Sequence, residues 1–219
     1  MNGNRKVKRL MASVMASMMV TSVVPADSIH ITLPSVVKAE ELLNVDDGTF
    51  RIKDGVLKAY SGKETEVTLP EGVIAIGEYA FSNSSTKITS VTIPNTVTTI
   101  ERGAFYTCDS LESIKIPGSV VEIGDSAFNG CKNLKEVTLN SGLQNIGTYA
   151  FCRTALESVT IPGTVQKIGD SAFMECDSLQ EVVVEEGVTT IEEAAFYQSG
   201  VQTVSLPGTL QELGEIAFF

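Results

Sequence analysis

Group transfer and proton transfer need a base or a nucleophile, and this chain offers few. His30 is its single histidine and lies outside the periodic part of the sequence. Serines and cysteines elsewhere therefore lack the imidazole that would activate them. No HExxH, P-loop or GxGxxG-after-strand pattern occurs, and no CxxC that would mark a zinc site. Adjacent carboxylates do occur, at Glu185-Glu186 and Glu192-Glu193. Glycosidic cleavage needs two acids facing across a substrate at about 5–9.5 Å. Neighbours in sequence on an acidic surface are expected to be solvated instead. The expectation is a protein that is not an enzyme and carries no cofactor or metal.

The elements that would position any site come from repetition. Ala-Phe recurs at Phe81, Phe105, Phe128, Phe151, Phe173, Phe196 and Phe218, at steps of 24, 23, 23, 22, 23 and 22 residues. From the leading apolar residue of a unit to its Phe the distance is always 17, as from Ile88 to Phe105 or Leu156 to Phe173. The slack falls between each Phe and the next unit, where gaps run from 5 to 7 residues. A rigid block with an adjustable loop is what stacking demands, because core positions must superpose while a surface loop lengthens at little cost.

Within a block, Val91-Thr92-Ile93, Val137-Thr138-Leu139 and Val159-Thr160-Ile161 alternate apolar and polar, the pattern of a half-buried strand. Pro70, Pro94, Pro117, Pro162 and Pro207 close most of these strands, since proline cannot donate to a ladder. Apolar pairs three apart follow, such as Val97/Ile100 and Val165/Ile168. Gly77, Gly124, Gly147, Gly169 and Gly214 come next and predict a backbone position with positive φ, with Glu101 and Glu192 in that slot twice. The Gly-x-x-Ala-Phe segment predicts one helical turn. Seven rungs at about 4.8 Å would make a stack roughly 30 Å long.

Open ends need covering. Residues 49–64 read as an N-terminal hairpin cap turning at Asp54-Gly55, and 65–219 as the solenoid. Phe219 falls in mid-repeat, so the solenoid is expected to be truncated at its C-terminus. The segment before the cap reads as a linker over 27–48. Residues 1–26 read as a secretory signal. Arg5, Lys6, Lys8 and Arg9 precede an apolar run from Leu10 to Val24, shorter than the roughly 20 residues of a membrane span. Cleavage fits after Ala26 or Ala39, and an uncleaved anchor is the alternative.

Residues 1–26 hold four of the 16 basic residues and none of the 27 acidic ones, so the remainder carries 12 against 27, net −15. Such a surface repels nucleic acid and anionic lipid, both of which are bound through Lys and Arg. It suits basic or neutral partners, or solubility alone.

The unit Leu-x-x-Ile-x-Ile-Pro-x-x-Val-x-x-Ile-Gly-x-x-Ala-Phe-x-x-Cys, as in Leu111 to Cys131, resembles the BspA-like bacterial leucine-rich repeat over about residues 65–219. The resemblance implies a strand-rich α/β solenoid, a curved horseshoe whose strands line a concave face. It also implies a secreted or cell-surface protein that binds proteins or adheres through that face. The partner would be an extracellular protein or glycan, with a membrane reached only through an anchor not seen in this sequence. A structural spacer, or a glycan-binding part of a larger secreted protein or hydrolase, is the alternative.

The residues expected on the concave face are Thr92, Lys115, Glu136, Thr138, Thr160, Glu181, Val183 and Ser205, a hydroxyl-rich and mildly acidic strip. High β-propensity of Thr accounts for the same column without a site. Tyr106 and Tyr197, each following its Phe, are either loop-edge contacts or packing between loops. Cys108, Cys131 and Cys176 share the slot three after the Phe, and Cys152 stands one after. Cys108 and Cys131 on adjacent rungs, about 5 Å apart, would be within disulfide reach. The same slot holds Ser84 and Ser199, which favours a small, weakly polar side chain and free thiols.

Overall fold

The structure, a computed structural model, describes residues 42–82 and 87–219. The expected signal, most of the expected linker, and Ser84 lie outside the described residues.

Three antiparallel strands open the described chain: β1 (Val45–Asp46), β2 (Phe50–Lys53) and β3 (Val56–Tyr60). β2 and β3 form the hairpin, and Asp54 and Gly55 between them have φ of 52° and 74°. Both central residues are thus left-handed, as a type I′ turn requires. β1 falls in the segment expected to be linker, and its pairing with Arg51 and Ile52 makes the cap three-stranded.

Each rung then contributes two short strands and one tight turn. The first strands are β4 (Glu66–Thr68), β6 (Ser90–Thr92), β8 (Ser113–Lys115), β10 (Glu136–Thr138), β12 (Ser158–Ile161), β14 (Glu181–Val184) and β16 (Thr203–Ser205). The second strands are β5 (Ala75–Ile76), β7 (Thr99–Ile100), β9 (Glu122–Ile123), β11 (Asn145–Ile146), β13 (Lys167–Ile168), β15 (Thr190–Ile191) and β17 (Glu212–Leu213). The second strands extend the cap into one ten-stranded sheet, running from β1 through β3 to β17. The first strands form two sheets, one of four from β4 to β10 and one of three from β12 to β16.

The interior is a single file of phenylalanines. From Phe81 to Phe218 successive ring centroids lie 4.7, 4.9, 5.0, 5.2, 5.1 and 4.8 Å apart, with planes within 9° of parallel. Tyr60 and Phe50 of the cap continue the file at 5.4 Å steps. Offset stacking at this distance adds about 0.5–1.5 kcal/mol per pair beyond the area removed from water. The file is flanked by the buried leading residues, such as Leu111, Leu134, Leu156 and Leu179, and by the apolar pairs, such as Val120/Ile123 and Val165/Ile168. No rung could shield its apolar side alone, so stability is a property of neighbours.

Two local expectations are corrected. No helix occurs among the described residues, and the Gly-x-x-Ala-Phe segment is a run of turns. The residue before each Ala is left-handed: Tyr79, Gly103, Ser126, Tyr149, Ser171, Ala194 and Ile216 all have positive φ. A second left-handed residue follows four positions later at Thr107, Gly130, Arg153, Glu175 and Gln198. This breaks a helix and aims alternate N–H groups at the next rung. In the second unit Gly103, Phe105 and Thr107 donate to Asp125, Ala127 and Asn129 carbonyls at 2.8–2.9 Å, while Ala104, Tyr106 and Cys108 donate back within their own turn.

The second correction concerns the glycine slot. Gly77, Gly124, Gly147, Gly169 and Gly214 do not have positive φ. They are glycine because the backbone of the preceding rung passes too close. A Cβ on Gly124 would lie 2.8 Å from the Arg102 nitrogen, and on Gly169 2.7 Å from the Gly147 carbonyl carbon.

Candidate interaction face

Alternation along the first strands sorts their residues into two layers. Val67, Val91, Ile114, Val159 and Val182 turn inward and are buried. On the outside stand Thr92, Lys115, Glu136, Thr138, Thr160, Glu181 and Ser205, all exposed, with Val183 half-buried. Parallel pairing holds these in register, matching Glu136 with Ser113 and Thr138 with Lys115 in one sheet. In the other, Thr160 pairs with Val183 and Val183 with Ser205, while Ser158 pairs with Glu181. The expected residues are therefore brought into two exposed files running along the stack.

The files are cut in the middle. Thr92, Lys115, Glu136 and Thr138 belong to the four-stranded sheet, whereas Thr160, Glu181, Val183 and Ser205 belong to the three-stranded one. The corners after β10 and β12 explain the cut. Asn140 stands where other units carry proline, and its Nδ2 donates to the Ile116 carbonyl of the rung before. Gly142 is packed so closely on the Gly118 carbonyl that a Cβ would overlap it, and Gly163 is packed in the same way on the Glu186 carbonyl of the rung after. The two corners are thus drawn away from each other. Between them Thr164 Oγ1 donates to the Leu143 carbonyl at 2.7 Å, and Glu157 N reaches the Lys135 carbonyl at 3.3 Å.

The acid pairs have structural work. Glu185 Oε2 accepts from Gly163 N of the rung before, and Glu186 Oε1 from Gly208 N of the rung after, so the two carboxylates point in opposite directions along the stack. Glu192 accepts from Asp170 N and from Lys167 Nζ. Glu101 accepts from Glu78 N in the same manner. A glutamate in the glycine slot therefore satisfies the amide after the glycine slot of the previous rung. No two of these acids face each other across an open site.

All four cysteines are free. Cys131 and Cys176 donate to the Phe105 and Phe151 carbonyls at 3.1 Å, reaching back to the rung before. Ser199 and Thr154 fill the same slot and donate to the Phe carbonyl of their own unit. The slot needs a small donor, which explains its alternation of Cys, Ser and Thr. Burial pushes the Cys108 thiol up to about 12, with Asp109 adding to the shift, and the Cys152 thiol up to about 11. Cys131 and Cys176 are also raised, again mainly by burial. Thiols held protonated in this way are poor nucleophiles. Among the described residues no cluster of His, Cys, Asp and Glu is placed to hold a metal ion.

Several tyrosines stand partly exposed on the turn edge. Tyr79, Tyr106 and Tyr149 are each 40% exposed, and Tyr79 meets Tyr106 edge to face at 6.2 Å. Tyr79 and Tyr149 went unnoticed because the slot before Ala is not aromatic in other units. Tyr197 instead stacks with Phe219 at 6.4 Å. Nearby, Arg153 makes a two-pronged bridge to Glu175 at 2.7 and 3.1 Å, which lowers the Glu175 carboxyl and raises the guanidinium.

Residues 51–177 and 98–219 match the BspA type leucine rich repeat region, in six copies. A leucine-rich cell surface protein of Faecalibacterium prausnitzii A2-165 superposes with a TM-score of 0.69 at 30% identity, covering 80% of this chain and 52% of its own. A leucine-rich repeat protein of Eubacterium ventriosum gives 0.67 at 26% identity, covering 76% and 45%. One of Bacteroides ovatus gives 0.54 at 26%, covering 78% and 58%. The chain thus spans about half the length of these solved chains. No curated protein matches it. The stacked Phe file, the two strands that each rung contributes and the repeat match together make this chain a member of the BspA-type leucine-rich-repeat family.

Proposed function

We propose that this protein is a secreted or cell-surface bacterial repeat protein that captures an extracellular protein on its strand face. The observation that carries the reading is the pair of exposed files, held in register by parallel pairing over four rungs in one sheet and three in the next. Their hydroxyls and carboxylates donate and accept hydrogen bonds without requiring a pocket. A partner laid across several rungs gains affinity from summed area and about one hydrogen bond per 100–200 Å². The cell surface description of the Faecalibacterium relative supports the location.

The test is capture of extracellular matrix proteins, mucins and glycans by the immobilised chain. The variant carrying Thr138→Lys and Thr160→Lys should lose capture of whichever protein the wild type retains, because it places two long cations at the centre of the face. Unchanged capture by this variant, with an unchanged melting curve, removes the strand face as the binding surface.

A further inference from the structure

A second surface lies on the turn edge, away from the strand files. Tyr79 has its ring lying on Gly103, where a Cβ would overlap the ring, so the glycine of the next rung is what lets the tyrosine lie down. Tyr106 meets it edge to face. Both rings remain two-fifths exposed, and Tyr149 stands at the same slot as Tyr79 three rungs along. A bulky residue in the left-handed region carries a backbone cost. At Tyr79 and Tyr149 that cost is not offset by full burial of the ring, whereas Ser126 and Ser171 fill the same slot in other rungs.

The polar groups around these rings are mostly acceptors. Glu78 precedes Tyr79, Glu101 reaches back to the Glu78 amide, and the Asp125 carbonyl takes the Gly103 N–H. Asp125 Oδ1 accepts from Thr148 N, which leaves its second oxygen available. Further along the same edge come Asp170, Glu193 and Glu215. Two cations stand among them: Arg102, and Arg153, whose donors are turned to Glu175. Rings and carboxylate oxygens together suit a group that is cationic and donates only, as guanidinium and ammonium do. A saccharide hydroxyl needs donors as well as acceptors, and this edge offers few.

We propose that the turn edge around Tyr79 and Tyr106 is a docking site, separate from the strand face, for a basic polypeptide segment whose Arg or Lys side chains lie on the tyrosine rings among the carboxylates of Glu78, Glu101 and Asp125. The net −15 of residues 27–219 draws such a segment in, and the rings decide where it settles. The site does not depend on the strand-face reading, and either can fail alone.

The probe is a fluorescein-labelled peptide of nine arginines, followed by anisotropy at about 0.15 M salt, where diffuse attraction is screened. The discriminating variant is Tyr79→Ser with Tyr106→Asn. It leaves the charge untouched and uses residues that the fold already carries at those slots, Ser126 and Asn129. Roughly tenfold weaker binding is expected from losing two cation–ring contacts. The charge-neutral strand-face variant Thr138→Ala with Thr160→Ala should bind the peptide within about twofold of wild type, since its changes lie on the other face. Equal binding by wild type and the tyrosine variant overturns the proposal, because charge alone then explains the attraction. So does no binding by the wild type. Retention of a neutral oligosaccharide that the tyrosine variant loses also overturns it, assigning the rings to sugar instead.

Discussion

The same seven units supply seven strands of the ten-stranded sheet and all those of the strand face, yet one is continuous and the other is cut. Across the rung that separates them, β11 and β13 pair normally at Ile146 and Ile168. On the opposite side of the same rung β10 and β12 do not pair. The Phe file passes through unbroken, although its widest step, 5.2 Å, falls there. The difference teaches where the repeat is constrained. On the sheet and turn sides, glycines and stacked rings bring backbones into contact and leave one spacing open to them. On the strand side the corner path is set by which neighbour each glycine leans on, and the outward residues are free to vary.

The largest effect should come from breaking the file that both sides share. Phe128→Ala should cost about 3–5 kcal/mol in urea unfolding, because neither neighbour can close over the space. A loss near 1 kcal/mol would mean that the rungs support themselves without it. Next, Gly163→Ala forces a methyl onto the Glu186 carbonyl, whereas Gly208→Ala meets nothing closer than 3.5 Å. The first should cost about 1–3 kcal/mol and the second close to nothing. Equal effects would show that the corner after β12 is not held against the following rung.

Amide exchange sharpens the contrast further. The Glu157 N–H, at 3.3 Å from its acceptor beside the cut, should exchange roughly tenfold faster than the Gly169 N–H, at 2.9 Å on the continuous side. Equal protection would mean the cut is closed in solution.

The smallest expected effect is in the cysteine slot. Cys131→Ser should change stability by about 1 kcal/mol or less, since Ser199 fills the same slot in another unit and finds a carbonyl within its own turn. Its consequence is clearer in alkali. A buried thiol raised above its ordinary value of 9.0 keeps its proton in the folded chain while the unfolded chain releases it. Its contribution is intact below that value and is lost as pH rises toward the folded one. The melting temperature should therefore fall above about pH 9, less steeply in the serine variant, and a thiol reagent at pH 8 should find four sites only after unfolding.

The stack was legible because periodicity in the sequence became periodicity in space. Seven Phe at one spacing, Val159-Thr160-Ile161 and its equivalents, and the Asp54-Gly55 turn each foretold what the structure contains. The turn was misread because Gly-x-x-Ala-Phe has helical spacing. What decides its path is a left-handed residue that is glycine only at Gly103 and elsewhere Tyr, Ser, Ala or Ile, which advertise no such preference. The glycine slot was assigned correctly to glycine and wrongly to φ, since a close approach from another rung is invisible in a single unit. The outward position of Thr92, Thr138 and Thr160 followed from alternation alone. That Thr138 and Thr160 would fall on different sheets did not, because the lean of Gly142 and Gly163 depends on backbone path.

In the turn itself, the amides of the left-handed residues and of the Phe between them all cross the same way, from an earlier unit to a later carbonyl, as from Ser126 to Thr148, Ser171 to Glu193 and Ala194 to Glu215. A polypeptide made from its N-terminus therefore always exposes a row of unmet donors at its growing front. Only the arrival of the following turn can quench them. Assembly along this edge has a sense of travel, like a ratchet whose teeth face the incoming chain.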